Sequence, residues 1–139
     1  MSPNLKKGLK FNLNYRVSKK SLVPILFNEI NFTKDMPNVL ATGYMVGMLE
    51  LACTKSMIPY LNWPEEQSLG THVNFSHLAA TPLGMEIFIK GEVISVNGKK
   101  VNFWVEARDE IDKITEGEHE RTVVIAKIFN EKLLKRKIL

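Results

Sequence analysis

In KFNLNYRV, residues 10–17, Phe11, Leu13, Tyr15 and Val17 fall on every second position, with Asn12, Asn14 and Arg16 between them. A period of two puts the apolar set on one face of a strand. Residues 18–38 follow no period, and Pro24 and Pro37 leave room for no more than a short helical turn. Residues 39–57, VLATGYMVGMLELACTKSM, are apolar nearly all round, which predicts one long buried helix ended by Pro59. Gly43 and Gly47 are poor helix formers inside it. Beyond residue 70 the period returns to two. In GTHVNFSHLA the residues Val73, Phe75, His77 and Ala79 share a face, and residues 85–96 form a long β-rich run. Asn97-Gly98 predicts a type I′ hairpin turn. On the return, Val101, Phe103, Val105 and Ala107 alternate with polar partners. DEIDK turns the chain again, and residues 115–129 predict a last strand.

A strand, a long helix and then four strands in antiparallel succession define an α+β layer. The expected architecture is one curved antiparallel sheet of about five strands wrapped around one long central helix, the arrangement of the hot-dog fold. Its length of 139 residues fits a single domain, with a core over about 10–129 and a basic tail at 130–139.

Composition narrows the function classes. With 45% hydrophobic and 24% charged residues the chain reads as globular and not disordered, and no apolar run approaches a membrane span. One cysteine, Cys53, leaves no internal disulfide, and MSPNLKKGLKF lacks a signal-peptide core, so the expected location is cytoplasmic. The net charge of +4 reads first as a solvated basic surface and tail, and a phosphate-bearing small molecule would use the same charge. No aromatic RNA-binding signature, zinc spacing or recognition helix accompanies it, so neither nucleic acid nor membrane is expected as a partner. No cluster has metal-ligand spacing.

Three polar residues need an explanation if a sheet wraps the helix. His77 shares its strand face with Val73 and Phe75, and so meets the helix; a histidine there is either a hydrogen-bonded core residue or a base. Glu50, among Leu49, Leu51 and Ala52, is either on a narrow exposed stripe or buried with a partner, where it could serve as a general base. Thr42 is either a helix cap or a nucleophile that needs a neighbouring base such as His77. On one regular helix Thr42 and Glu50 are about 12 Å apart, so they can share a site only if the helix starts later or bends. Amides near the helix start could bind an oxyanion. His119 and Arg121 read as surface or interface polar residues, with Arg121 able to contact a phosphate. Cys53 reads as inert packing.

VLATGYMVGMLELAC, GTHVNFSHLAATPLG, VISVNGKKVNFWVEARDE and GEHERTVV, in that order and spacing, resemble the thioesterases of the fluoroacetyl-CoA thioesterase family. The resemblance runs from about residue 10 to 129, and its most specific element is the HLAATP segment. It implies a catalytic set of Thr42, Glu50 and His77, with Gly70 close to the thioester, and it implies a homodimer or larger assembly with sites near the subunit interface. Gly43 and Arg121 join Gly70 as expected substrate-binding residues. The expected reaction is hydrolysis of a short or medium acyl-CoA to free acid and coenzyme A, with no cofactor beyond the coenzyme A of the substrate. The alternatives are a non-catalytic acyl-CoA or small-ligand binding protein and a 2-enoyl-CoA hydratase.

Overall fold

The computed structural model describes residues 1–138; Leu139, the last residue of the expected basic tail, lies outside them. The elements are β1 (Lys10–Arg16), a four-residue helix α1 (Val23–Leu26), the long helix α2 (Thr42–Met57), β2 (Glu66–His77), β3 (Glu86–Asn97), β4 (Lys100–Arg108), β5 (Lys113–Ile125) and α3 (Ala126–Ile138). The five strands form one antiparallel sheet in the order β1-β3-β4-β5-β2, so β2 is an edge strand.

The inner face of the sheet packs on α2. Met45, Leu49, Ala52, Cys53 and Met57, spaced to line one face of the helix, are buried against Val101, Phe103, Val105 and Ala107 of β4 and Ile87, Ile89 and Val93 of β3. Each such large apolar side chain contributes about 1.5–3 kcal/mol over its exposed state. This packing, more than helix propensity, holds a helix that carries two internal glycines. The opposite face of α2 is open: Gly43, Gly47 and Leu51 are exposed and Glu50 is half-buried. The expectation of burial all round is therefore corrected, because this sheet alone covers one side only.

Other boundaries moved for identifiable reasons. Residues 39–41 are extended, not helical: Val39 bridges Pro82, Leu40 bridges Leu22, and Leu40 N–H donates to Thr81 O (2.8 Å). Those hydrogen bonds outweigh local helix preference, and Ala41 becomes the N-cap. In the β3–β4 hairpin Asn97 still pairs with Lys100, leaving Gly98-Lys99 as the turn. Only Gly98 has positive φ (61°), the pattern of a type II′ turn and not of the expected type I′. The last strand ends at Ile125, not residue 129, and the tail expected beyond residue 130 continues α3. Ala126 N–H donates to Glu65 O as α3 begins, and Ala, Lys, Leu and Glu then favour a helix.

One irregularity bears on the site. Between Gly70 and His72 the β2–β5 register shifts by a bulge. Ser68 and Gly70 lie opposite the inward residues Val123 and Arg121, whereas beyond the bulge Val73, Phe75 and His77 lie opposite His119, Gly117 and Thr115. The bulge thus lets Gly70 and His77 share the inner face despite their odd separation.

Candidate active site

Thr42 is the first residue of α2, and Ala41 before it has no side chain that could cap the helix. The first intrahelical bond runs from Met45 N–H to Ala41 O (2.9 Å), so the amides of Thr42, Gly43 and Tyr44 have no partner within the helix. The Thr42 hydroxyl does not cap them. Its Oγ1 lies 2.8 Å from His77 Nδ1 on the last residue of β2. Burial holds the His77 pKa below its ordinary value, against an opposing interaction with the Ala79 backbone, and the ring is therefore neutral near pH 7. Val23, Val39, Leu40, Leu78, Ala79 and Ala80 wall an open depression around this pair.

A second cluster stands further along α2. Glu50 Oε1 lies 3.6 Å from Arg121 Nη1 and 3.7 Å from His119 Nε2. Arg121 Nε donates to Ser68 Oγ (2.8 Å) and Nη2 to Ser68 O (2.9 Å). Nη1 is 3.2 Å from His119 Nε2. A guanidinium can only donate, so His119 Nε2 must be the acceptor and the proton sits on Nδ1, which donates to His72 O (2.7 Å). Burial and then the Arg121 charge push the His119 pKa down, so it too is neutral, despite the opposing pull of His72 O, Glu50 and Glu120. Gly70 closes the cluster: a Cβ built there would overlap Glu50 Oε1 and come within 3.3 Å of His119 Cε1. Only glycine permits that approach of strand to carboxylate.

The structure thus joins Thr42 to His77 and Glu50 to Gly70 and Arg121, but it does not join the two groups. The helix is continuous from Thr42 to Met57, so the roughly 12 Å between Thr42 and Glu50 stands. His77 faces the start of the helix, not Glu50. Arg121 and His119 are buried (6% and 1% exposed), which corrects their reading as surface residues, and the Arg121 guanidinium is tied to Ser68 and not presented to solvent. Gly43 is exposed beside Thr42 with no side chain to obstruct the pocket. The Cys53 thiol is buried and pushed up to about 12 by burial, in keeping with packing alone.

Sequence reasoning missed the support behind the pair. Thr81, fully buried, donates its hydroxyl to Asp109 Oδ2 (2.9 Å), while Asp109 Oδ1 accepts the N–H groups of Ile111 (2.8 Å) and Asp112 (2.7 Å). Burial pushes the Asp109 pKa up, but the Asp112 and Ile111 amides and the Thr81 hydroxyl outweigh it and hold the carboxyl below its usual range. In sequence Asp109 is one polar residue of a turn, and nothing in DEIDK marks it as buried.

A five-stranded sheet around one helix, with a Thr–His pair at the helix start and a carboxylate along it, defines a hot-dog protein of the thioesterase class. The fold matches a hot-dog-like protein from Thermanaerovibrio acidaminovorans (TM-score 0.81, 19% identity, 96% of this chain and 94% of that one). It also matches a hypothetical protein of Thermus thermophilus described as a thioesterase superfamily member (TM-score 0.82, 28% identity, 98% and 94% coverage). The family described as "FlK: Fluoroacetyl-CoA-specific thioesterase" matches residues 27–127. The fluoroacetyl-CoA thioesterase of Streptantibioticus cattleyicolor is 38% identical over 133 residues, 96% of this chain and 95% of that protein. The solved structure of the fluoroacetyl-CoA thioesterase FlK superposes with a TM-score of 0.90 at 38% identity, over 94% of this chain and 96% of that one. The chain belongs to the fluoroacetyl-CoA-specific thioesterase family and is an acyl-CoA thioesterase by that membership; neither the binding-protein nor the hydratase alternative is favoured.

Proposed function

We propose that this chain hydrolyses the thioester of a short or medium acyl-CoA at a site built from two subunits. The observation that carries the reading is the 2.8 Å contact between Thr42 Oγ1 and a neutral His77 Nδ1 at an uncapped helix N-terminus. His77 accepts the Thr42 proton as the hydroxyl oxygen attacks the carbonyl carbon. The first-turn amides of α2, Gly43 among them, stabilise the developing oxyanion. The imidazolium then returns the proton to the departing coenzyme A sulfur, and water cleaves the acyl–Thr42 ester with His77 again as base. The reaction so written uses protein groups and water, with no further cofactor.

Glu50 enters from a second copy. The open face of α2 and the unpaired edge of β2 adjoin one another. A two-fold axis near Val46 of α2 and between Val73 and Asn74 of β2 would set Thr42 against the partner's Glu50 and His77 against the partner's Gly70. Gly43 and Gly47 would let the two helices approach closely. The partner carboxylate then orients the water of the second step. A single free, buried cysteine suits the reducing, cytoplasmic setting proposed for it.

The test is purified full-length protein against acyl-CoAs from acetyl to decanoyl, with fluoroacetyl-CoA included, read as thiol release. We expect turnover of the short members, with His77→Ala lowering kcat/KM by about 10²- to 10⁴-fold. No thiol release above background from any member would sink the proposal.

A further inference from the structure

Three buried side-chain polar atoms among the described residues have no hydrogen-bond partner: Tyr15 Oη, His77 Nε2 and Thr115 Oγ1. Two of the three belong to residues directly opposite one another. Thr115 of β5 pairs with His77 of β2. Residues so paired carry their side chains on the same face with Cβ atoms about 4.5–5.5 Å apart. The row across the sheet is Leu13, Ile89, Ala107, Thr115, His77. Every other member is apolar, so the only polar side chain the row offers Thr115 is His77. Thr115 is 0% exposed, and a hydroxyl stranded there costs about 1–3 kcal/mol unless satisfied. Valine has the same shape and no such cost, so the hydroxyl needs a reason.

We infer that Thr115 is a positioning residue for catalysis: its hydroxyl accepts the Nε2–H of His77 through one bridging water and so fixes the ring tautomer. The chemistry requires a particular tautomer. For Nδ1 to accept the Thr42 proton it must carry a lone pair, and the ring proton must then sit on Nε2. The Ala79 backbone acts on the ring but makes no hydrogen bond to Nε2, and an Nε2–H left without a further acceptor would favour the other tautomer, in which Nδ1 donates to Thr42 and cannot act as its base. Thr115 supplies the acceptor side of that balance. A single water between two polar groups is an ordinary resident of such a site.

The inference rests on the thioesterase reading for its catalytic consequence, but the tautomer can be measured without turnover. Ring ¹⁵N chemical shifts of the full-length protein distinguish the tautomers, and the three histidines are assigned with His77→Asn. We expect wild-type His77 to be protonated on Nε2, and Thr115→Val to move it toward the Nδ1–H form. That variant should lose about fivefold to tenfold in kcat with KM nearly unchanged, and Thr115→Ser should restore both. A wild-type His77 protonated on Nδ1 would overturn the inference. So would a Thr115→Val protein with unaltered ring shifts and kcat, or a serine variant no better than the valine one. If wild type released no thiol at all, the functional reading would fall while the ring shifts still decided the role of Thr115.

Discussion

Two neutral imidazoles sit under the same sheet for different ends. His119 is locked: Nδ1 donates to a carbonyl and Nε2 faces a guanidinium, so it has no proton to exchange with substrate. His77 has one nitrogen on a nucleophilic hydroxyl and is the ring free to cycle. Both have folded-state pKa values depressed by burial. Sign follows from linkage: the unfolded chain takes up these protons first, near pH 6.5. The stability each neutral ring contributes is therefore fully present above about pH 6.5 and is lost as pH falls through the folded values. The acid limb of kcat/KM, which reports His77 in the free enzyme, should have its midpoint below about 6.5. Denaturant melts at pH 7.5, 6.5 and 5.5 should show falling stability before most carboxylates titrate; a flat profile over that range would contradict the burial argument. Asp109 acts in a lower window, where protonation removes stability as pH falls below the ordinary carboxylate range.

At the scale of elements, the loop after β2 decides where the Thr42–His77 pair sits. Thr81 reaches three segments at once: its backbone carbonyl holds Leu40, two residues before Thr42; its own chain leads back four residues to His77; its hydroxyl holds Asp109 in the β4–β5 turn. Removing the hydroxyl with Thr81→Val should cost about 1.5–3 kcal/mol, the range for a buried bond to a charged acceptor, and Thr81→Ser should recover most of it. Because the hydroxyl bond anchors the residue whose carbonyl holds Leu40, kcat should fall well below the melting temperature. Full kcat in a destabilised Thr81→Val protein would show the bond to be structural only. The strands, the long helix and the facing of His77 were legible because apolar periods of two and a run of apolar residues express burial directly. The start of α2 and the end of β5 were not, since hydrogen bonds from Leu40, Ala41 and Ala126 to the carbonyls of Thr81, Ser21 and Glu65 set them, and these partners are distant in sequence. The β2 bulge was equally silent: nothing in LGTH says that Gly70 and Val73 point the same way. The type II′ turn depended on one residue of register in the Asn97-Gly98 hairpin, which a dipeptide cannot specify.

For the whole molecule the question is how one set of residues on a straight helix can serve one reaction. Thr42, Glu50 and His77 were singled out by type and by the family resemblance, and helix rise keeps Thr42 and Glu50 apart within a chain; the proposed two-fold assembly would bring them together. Two inactive variants distinguish the arrangements. Take His77→Ala and Glu50→Gln, each expected to lose most activity as a homodimer, and let their subunits exchange. If the site is shared across the two-fold, a mixed dimer has one site in which both lesions meet and one in which neither occurs. Random exchange makes half the dimers mixed, each with one of two sites intact, so activity should recover to about a quarter of wild type. If Glu50 served His77 of its own chain, every site in the mixture would still carry one lesion and exchange would recover nothing. The recovered activity should also fall on dilution below the dimer dissociation constant, in step with the loss of dimer by light scattering. No recovery on exchange, or wild-type activity that survived as the dimer disappeared, would place the complete site within one chain after all, and the open face of α2 and the free edge of β2 would then need a different explanation.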